Sequence, residues 1–309
     1  MPRKIILDCD PGHDDALAIL LAHGSPELEL IGITTVAGNQ TLEKTTLNAR
    51  RVCTVARIGD VPIAAGCAGP MVRELVTAQV HGESGLDGPV WPEPTVAVSE
   101  EHAVEFIVRN LMASDGDVSL VATGPLTNVA MAVRREPRIV AKTAEIVLMG
   151  GAFTRGNITP AAEFNIYVDP EAASIVFEQP WTRTMVGLDL THQALATPEV
   201  VASISDLGTE LSRVVVELLE FFQGSYASAS GFADPPIHDP CAVAVLAYPG
   251  LIEAEPAYVA VETVGALTRG MTVTDFRGRL GQVLDTRVAV RLDVAGFWEK
   301  MVAAIGRLG

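Results

Sequence analysis

The sequence predicts an α/β fold, with a single domain whose open, mostly parallel central sheet is flanked by helices. Two observations carry this prediction. Short apolar runs rich in β-branched residues alternate with segments of helical period along most of the chain, a pattern typical of parallel strands joined by helical crossovers. The 309 residues also contain no repeat, low-complexity tract or linker, so one domain spanning residues 1–309 is expected.

The first two thirds of the chain supply the predicted parallel strands and their connecting helices. Five apolar runs are predicted to be strands buried on both faces: Lys4–Leu7, Leu28–Val36, Val118–Ala122, Glu145–Met149 and Thr184–Gly187. Five helical stretches lie between these strands: Asp15–His23, Leu42–Arg57, His102–Ala113, Asn128–Arg134 and Pro170–Glu178. Sheets of this kind bind ligands at the carboxyl ends of their strands.

The last third of the chain is predicted to close the domain. A helix over Leu211–Tyr226 runs into a small-residue stretch, Ser228–Pro236, which is either a mobile loop over the site or a plain connection. A buried helix begins within His238–Ala247. A terminal helix follows three further predicted strands: Ala257–Val264, Met271–Asp275 and Thr286–Leu292.

The composition limits the possible partners and location. The net charge of −16 argues against a nucleic-acid partner, because proteins that bind phosphate backbones concentrate Lys and Arg on one face. It favours a small neutral or cationic ligand or a metal ion, although solvated surface acids account for part of the charge. No stretch is apolar enough for a signal peptide or a membrane span, so no membrane contact and a cytoplasmic location are expected. Four cysteines without CxxC spacing are expected to be buried, reduced thiols: Cys9, Cys53, Cys67 and Cys241.

An acidic cluster follows the first predicted strand. Residues 8–15 read Asp-Cys-Asp-Pro-Gly-His-Asp-Asp and hold four carboxylates. Carboxylates this close repel one another, and burial of unpaired charge is unfavourable. A hard divalent cation such as Ca²⁺, which takes six to eight oxygen ligands, would resolve the conflict. The sequence therefore favours a metal site here.

Three other interpretations of this cluster can be weighed. It is also explained as a capped and solvated helix start. An EF-hand loop beginning at Asp8 would need Gly and Glu where the chain has His13 and Ile19, so that motif is excluded. A Mg²⁺-dependent phosphohydrolase with an Asp-x-Asp nucleophile fits Asp8 and Asp10, but the chain has no Gly-rich phosphate-binding loop.

Further polar residues follow other predicted strands. His238 and Asp239 precede a helix, where Asp239 is either an N-cap or a further metal ligand, and His238 is either a packed histidine or a general acid. The segment Asn157–Asn165 and Asn39 supply groups suited to sugar hydroxyls, although turns explain most loop asparagines. Thr123 ends a strand, where its carbonyl could reach a metal. Together these residues predict one polar site at the edge of the sheet.

At this point the residues resemble a known family. Residues 8–16, Asp-Cys-Asp-Pro-Gly-His-Asp-Asp-Ala, are similar to the DxDPGxDDA signature of the inosine-uridine nucleoside hydrolases. Further segments resemble that family in the same order: Thr34–Asn39, His81–Gly85, Thr123–Asn128, Val147–Gly151, Ala162–Asn165 and His238–Pro240. The resemblance covers essentially the whole chain.

The resemblance implies an open α/β sheet, one bound Ca²⁺ and hydrolysis of the bond between ribose and base in nucleosides. Carried over residue by residue, it implies these metal ligands: Asp10, Asp15, the carbonyl of Thr123 and Asp239. It implies these ribose-side residues: Asp14, Asn39, Asn157, Glu163 and Asn165, with Met149 lining the same pocket. His81 and Phe164 match base-side positions, and a homodimer or homotetramer is implied.

The resemblance also implies catalytic residues. Asp10 is expected to take a proton from a water activated by the ion, and His238 is expected to protonate the leaving base. Asp14 is the third catalytic candidate, because carboxylates stabilise the oxocarbenium-like transition state of glycoside hydrolysis. A non-catalytic ribose-binding relative is the remaining alternative, which the presence of His238 weakens.

The chain departs from its apparent relatives near the small-residue run 228–231. Close relatives carry aromatic and Arg residues near this loop, whereas this chain has Phe222 and Tyr226. Tyr226 can stack on or hydrogen-bond a base, but Phe222 has no hydroxyl. Both are equally explained as packing residues on an amphipathic helix, so the preference for purine or pyrimidine stays open.

Overall fold

One nine-stranded sheet runs through the chain in the computed structural model, which describes every residue except Gln79 and Gly231, and only the backbone of residues 228–230. The strands, in chain order, are β1 (Arg3–Cys9), β2 (Leu28–Thr35), β3 (Ile63–Ala65), β4 (Val118–Ala122), β5 (Thr143–Met149), β6 (Arg183–Val186), β7 (Ile252–Val261), β8 (Thr272–Asp275) and β9 (Thr286–Leu292). Their order in the sheet is β3-β2-β1-β4-β5-β6-β9-β7-β8. The predicted α/β fold with an open, mostly parallel sheet is confirmed.

Twelve α-helices are found in the described part of the chain. The first six are α1 (His13–Gly24), α2 (Leu42–Val55), α3 (Ala103–Ala113), α4 (Thr127–Arg135), α5 (Ile139–Lys142) and α6 (Phe164–Val168). The others are α7 (Pro170–Phe177), α8 (Leu188–Thr191), α9 (Pro198–Ser205), α10 (Glu210–Ser230), α11 (Asp239–Ala247) and α12 (Val294–Leu308). No helix among the described residues is long and apolar enough to cross a bilayer.

The strand order places a crevice at the centre of the sheet. From β1 the chain builds β2 and β3 on one side, and β4, β5 and β6 on the other, with all these neighbours parallel. Strand order therefore reverses between β1 and β4, and open α/β sheets bind ligands outside the carboxyl ends of strands at such a point. The loops that follow β1, β2, β4 and β5 surround this crevice.

Two apolar layers hold the sheet. In β1 the side chains of Ile5 and Leu7 pack into one cluster with α1, α2, α11 and α12, while Ile6 packs into the other with α3, α4 and α7. This alternation follows from the two-residue period of a strand. Burial on both faces explains why β1, β4 and β5 are almost continuously apolar.

Several sequence predictions need correction. Strand β7 covers Ile252–Val261, not Ala257–Val264, because its antiparallel pairing with β9 begins at Ile252 and runs past Glu253 and Pro256, whose polarity hid it. Asp8 lies inside β1, where it pairs with Thr34 and Ala122, not after the strand.

The structure also adds elements that the sequence analysis did not predict. These are the three-residue strand β3 and the helices α5, α6, α8 and α9, none longer than eight residues. The possible N-cap role of Asp239 is wrong, since His238 occupies that position and Asp239 begins α11. All four cysteines are free as predicted, but Cys67 is only partly buried. Helix α10 extends to Ser230, and the end of the predicted small-residue run, Gly231, lies outside the described residues.

Candidate active site

A cavity of about 390 Å³ opens at the carboxyl ends of β1, β2, β4 and β5. Its volume suits a small-molecule ligand. All the predicted ribose-side and base-side residues line it: Asp14, Asn39, His81, Met149, Asn157, Glu163, Phe164, Asn165, Tyr226 and His238. Thr123 and Asp239 also line it, whereas Asp10 and Asp15 are not lining residues and are fully buried.

Three carboxylates meet at one end of the cavity. Asp14, Asp15 and Asp239 each offer an oxygen, and these oxygens lie within 4.8 Å of one another. Asp14 is therefore brought beside the predicted ligands Asp15 and Asp239, while Asp10 is not part of this group. Two unit charges about 4 Å apart repel by about 4 kcal/mol in partly screened protein surroundings. The three acids cannot all be ionised without a compensating cation.

Asn39 organises the acids from the end of β2. Its main-chain N–H donates to Asp10 Oδ2 at 2.6 Å, and its amide Nδ2 donates to Asp15 Oδ2 at 3.2 Å. The hydroxyl of Thr123 donates to Asp15 Oδ1 at 2.9 Å. These donors fix Asp10 and Asp15 but leave Asp10 Oδ1 and Asp14 Oδ1 buried, with no hydrogen-bond partner among the described residues.

Two glycines give the Asp10 carboxylate its space. A Cβ on Gly38 would lie 2.1 Å from Asp10 Oδ2, and a Cβ on Gly124 would lie 2.5 Å from Asp10 Oδ1. Any larger residue at either position would push the carboxylate away. Both glycines belong to the strand-end motifs that the sequence analysis singled out, so close approach to Asp10 is a physical reason for them.

Burial raises the pKa of every acid in this cluster. Desolvation is the largest cause for Asp14, whose pKa rises to about 7, and repulsion by Asp15 adds to it. Desolvation also raises the pKa of Asp10, Asp15 and Asp239, and repulsion by the neighbouring carboxylates adds to the rise for Asp10 and Asp239. No Lys or Arg is found among the described lining residues. Unpartnered carboxylate oxygens, raised carboxyl pKa values and the lack of basic groups fit a divalent cation bound by hard oxygen ligands.

The stability of the metal-free protein should therefore depend on pH. The ordinary pKa values of Asp14 and Glu163 are 3.8 and 4.5, and burial raises both to about 7 in the folded chain. Below about pH 6.5 buried histidines with lowered pKa oppose this effect, but above it they are neutral in both states, so the carboxyls decide the slope and stability falls as pH rises through about 7. We expect EDTA-treated protein to have a lower Tm at about pH 8 than at about pH 6.5, and added divalent cation to reduce the difference. A Tm that rises with pH in the metal-free protein would contradict this.

A second part of the cavity lining presents a defined set of amide and carboxylate groups. Glu163 caps α6: its carboxylate accepts from the main-chain N–H groups of Asn165, Ile166 and Gly151. The Nδ2 of Asn165 donates to the carbonyl of Thr123 at 2.8 Å, which leaves its Oδ1 as an acceptor. Asn157 Oδ1 accepts from the N–H of Phe164, which leaves its Nδ2 as a donor. Donors and acceptors together suit hydroxyl groups.

His238 is held between two hydroxyl groups. Its Nδ1 lies 2.7 Å from Thr191 Oγ1, and its Nε2 lies 2.9 Å from the Tyr226 hydroxyl. Burial, and secondarily His192, lower the pKa of His238 to about 3, so the ring is neutral near pH 7. A neutral ring can exchange a proton with the cavity through the Tyr226 hydroxyl. Phe222 is fully buried and also lines the cavity, so packing and lining are both part of its role.

Stacked rings form the wall beside His81. The His13 ring lies nearly parallel to those of His81, Phe221 and Phe222, with centroids 5.1–5.3 Å apart. Phe222 also packs edge-on against Tyr226 at 4.9 Å. This wall joins the acidic segment, the His81 loop and α10.

Some site residues were missed by the sequence analysis. Thr191 lies 47 residues from its partner His238, and no local motif marks it. His13 was seen only as a residue of the acidic signature. The lining segment around Val76, Thr77 and Ala78 and the exposed Ile158 carry no polar pattern that would have identified them.

Comparison with solved structures identifies the class of enzyme. A purine-preferring ribonucleoside hydrolase from Gardnerella vaginalis matches this chain with a TM-score of 0.93 and 34% sequence identity, covering 99% of both chains. The fold and cavity are thus those of a nucleoside hydrolase, an enzyme that hydrolyses N-glycosyl bonds.

Sequence comparisons identify the family. The family model described as inosine-uridine preferring nucleoside hydrolase matches residues 5–299. The chain is 51% identical to an inosine-uridine preferring nucleoside hydrolase of Crithidia fasciculata, over 100% of this chain and 99% of the relative. It is 46% identical to the pyrimidine-specific ribonucleoside hydrolase RihB of Escherichia coli, over 96% and 95% of the two chains. The chain belongs to the inosine-uridine preferring nucleoside hydrolase family.

Proposed function

We propose that the protein is a calcium-dependent enzyme that hydrolyses ribonucleosides of the inosine and uridine type to ribose and free base. The observation that carries the proposal is the cluster of buried, mutually close acids at one end of a small polar cavity. Such a cluster needs a cation, and the amide and carboxylate groups opposite it suit a sugar. Family membership supplies the reaction class.

The calcium ion is proposed to bind Asp10, Asp15, Asp239 and the carbonyl oxygen of Thr123. Asp15 and Asp239 are within the close carboxylate group. The place of Asp10 is supported by the resemblance of the motif, by its unpartnered Oδ1 and by its electrostatic coupling to Asp15. When bound, the ion would offset the carboxylate charge and lower the pKa of a nearby water.

The ribose is proposed to lie in the cavity against the acids and α6. The lining residues proposed to face it are Asp14, Asn39, Asn157, Glu163 and Asn165. The donor Nδ2 of Asn157 and the acceptor Oδ1 of Asn165 would pair with one or more hydroxyls. The surrounding carboxylates would stabilise the positive charge that develops on the ribose ring as the bond to the base breaks.

Attack by water on the ribose requires a general base near the metal end of the cavity. Asp10 is proposed to accept the water proton on Oδ1, which has no hydrogen-bond partner among the described groups. The water oxygen bonds to the anomeric carbon, the carbon–nitrogen bond breaks, and its electron pair goes to the base. The two glycines beside Asp10 leave space for its carboxylate, which a Cβ at either position would displace.

The leaving base must gain a proton at the opposite side. His238 is proposed to act in this protonation through Tyr226, since both its nitrogens are already hydrogen-bonded. When Thr191 donates to Nδ1, the Nε2–H of His238 donates to the Tyr226 oxygen, which leaves the tyrosine proton for the nucleobase. The tyrosine O–H bond breaks as its proton passes to the nucleobase, the Nε2–H of the neutral His238 stabilises the tyrosinate oxygen, and a proton from solvent then restores the hydroxyl. Proton transfer of this kind typically contributes about 10²–10⁴-fold to the rate.

The rival phosphohydrolase is disfavoured by the cavity. A phosphate group is usually held by Lys or Arg, and none is found among the lining residues that the structure describes. Asp8, the nucleophile of that mechanism, lies inside β1 between β2 and β4, and its Oδ1 accepts from Asn128 Nδ2 at 2.8 Å and from the Thr34 hydroxyl.

One assay separates the candidate functions. Purified protein with calcium is incubated with inosine, uridine or a phosphorylated nucleoside, and reducing sugar and inorganic phosphate are both measured. We expect free ribose from the nucleosides. Phosphate release would support the phosphohydrolase, and ligand binding without product would support a non-catalytic relative. The Asp10→Ala protein, purified identically, controls for contaminating hydrolases.

The remaining expectations stand as proposals. Residues 1–309 are proposed to form one domain that functions in the cytoplasm as a homodimer or homotetramer. Relatives named as pyrimidine-specific and as purine-preferring both resemble the chain. A kcat/KM panel over inosine, uridine, cytidine and adenosine therefore determines its preference.

A further inference from the structure

His13 makes contacts that the proposed reaction does not use. Its side chain is fully buried at the start of α1, between two residues of the acidic signature. Its ring stacks beside His81, Phe221 and Phe222, and its Nε2 lies 2.8 Å from the carbonyl oxygen of Asp87. The ring thus joins the loop that carries His81 to helix α10.

The main-chain partners of the two rings determine where their protons lie. A carbonyl oxygen only accepts, so the contact with Asp87 requires the proton of His13 on Nε2. A main-chain N–H only donates, and that of His13 donates to His81 Nδ1 at 3.3 Å. His81 Nδ1 is therefore unprotonated, and a neutral His81 carries its proton on Nε2. In the other assignment His81 Nδ1–H would donate to His13 Nδ1 across 3.1 Å, but the protonated Nδ1 would then face the fixed main-chain N–H of His13, so we take the main-chain hydrogen bond as the one that decides the tautomer.

His81 Nε2 is available to hydrogen-bond a ligand in the cavity. His81 lines the cavity, and of its two nitrogens only Nδ1 is bonded by described residues. Because His81 Nδ1 accepts the main-chain N–H of His13, the His81 ring carries one proton and is not an imidazolium. Nε2–H of His81 is left as a donor on the wall that also carries Phe222 and Tyr226.

We propose that His13 is a positioning residue for the leaving-group side of the cavity. It holds His81 as the Nε2–H tautomer, and this N–H can donate to an acceptor atom of the nucleobase. The proposal rests on the proposed nucleoside hydrolysis and deepens it. A nucleobase that departs with an electron pair becomes a better hydrogen-bond acceptor, so a hydrogen-bond donor held in place assists its departure. Nitrophenolate departs without such help.

The His81 loop is closed by its own hydrogen bonds. The Asp87 carboxylate accepts from the main-chain N–H groups of Glu83 and Ser84, and the Asp87 carbonyl oxygen accepts the hydrogen bond from His13 Nε2–H. Loss of the His13 ring would keep the main-chain N–H at residue 13 but remove the ring stack and the Asp87 contact, so the His81 ring would lose its fixed place while the acids of the metal end keep their own hydrogen bonds.

The tautomer can be observed directly. The chain has six histidines, so long-range ¹H–¹⁵N spectra of the ¹⁵N-histidine-labelled, calcium-loaded protein are tractable, with signals assigned by His81→Gln and His13→Leu. We expect a pyrrole-type Nε2 and a pyridine-type Nδ1 for both His13 and His81. A pyrrole-type Nδ1 on His81 would overturn the proposal whatever the activity is.

Kinetics supply the second test. For His13→Leu we expect kcat on inosine to fall by about tenfold, in the range typical of lost supporting contacts, with little change on p-nitrophenyl riboside and with bound calcium retained. His13→Gln, which can still donate to the Asp87 carbonyl, should recover part of the loss. His23→Leu, at the far end of the same helix, is the matched control.

The outcomes separate this proposal from the proposed function. Equal losses on both substrates, or no recovery by His13→Gln, would mean that His13 acts on folding or on the metal end, which overturns the positioning role. Absence of ribose release by the unsubstituted protein would contradict nucleoside hydrolysis, and the spectrum would still decide the tautomer of His81.

Discussion

Replacement of Asp10 by alanine is expected to abolish tight calcium binding and to lower kcat on inosine by about 10³-fold or more, because one carboxylate is proposed both to bind the ion and to take the water proton. Asp10 is fully buried, and its Oδ1 has no hydrogen-bond partner among the described residues. Elemental analysis of the purified protein measures the first effect, and steady-state kinetics the second.

Asp10→Asn refines this prediction. Asparagine keeps the shape that fits beside Gly38 and Gly124, so it tests charge rather than packing. We expect weakened calcium binding and a similar loss of kcat. Asp117→Asn is the matched control, because it removes one acid from an exposed pair with Lys4 and should leave both properties unchanged. Stoichiometric calcium in Asp10→Ala would show that Asp10 is not a ligand.

Replacement of His238 by alanine is expected to lower kcat on inosine by about 10²–10⁴-fold. The same change should leave cleavage of p-nitrophenyl riboside nearly unaffected, since nitrophenolate needs no acid. Tyr226→Phe should follow the same pattern, because the tyrosine hydroxyl lies 2.9 Å from His238 Nε2 and is proposed to carry the proton onward.

The double variant, His238→Ala with Tyr226→Phe, shows whether the two residues act in one proton transfer or independently. If His238 and Tyr226 act in series, the double variant should be little worse than the more damaged single variant. His23→Ala, a change in the last turn of α1, controls for loss of a histidine elsewhere. Equal loss of activity on inosine and on the nitrophenyl substrate would contradict the leaving-group role of His238.

Much of the fold was predictable because the central strands are buried on both faces. Such strands read as apolar runs, and Val118–Ala122 was located to the residue. Strand β7 was misplaced because it carries Glu253, Glu255 and Pro256 near the sheet edge, where only the pairing with β9 defines it. Short helices such as α5 and α8 span about one turn, too little for a periodic pattern.

The site was predictable in its polar residues but not in their connections. Each polar motif followed a predicted strand, and parallel strands end at the same edge, so the motifs were expected to meet there. The sequence could not indicate that Glu163 would cap α6, or that Asn39 would bind both Asp10 and Asp15. Those hydrogen bonds depend on side-chain orientation, which only the folded packing fixes. The contact of Tyr226 with His238 depends in the same way on how α10 packs.

The charge of the acidic end determines both stability and reaction. Asp14, Asp15 and Asp239 are held within 4.8 Å by the backbone of two separate segments, and burial raises the pKa of each. The fold therefore places these acids together before any ligand is present. In the proposed mechanism, a cation that binds there would relieve their repulsion and, with Asp10, would prepare this end of the cavity for attack by water.

Calorimetric titration of EDTA-stripped protein with calcium, near neutral pH, tests this charge compensation most directly. We predict one tight site per chain, loss of the site in Asp239→Asn, and release of protons on binding, because the ion deprotonates carboxyl groups whose pKa burial has raised. Full nucleosidase activity in stripped protein that takes up no calcium or other divalent ion would contradict it.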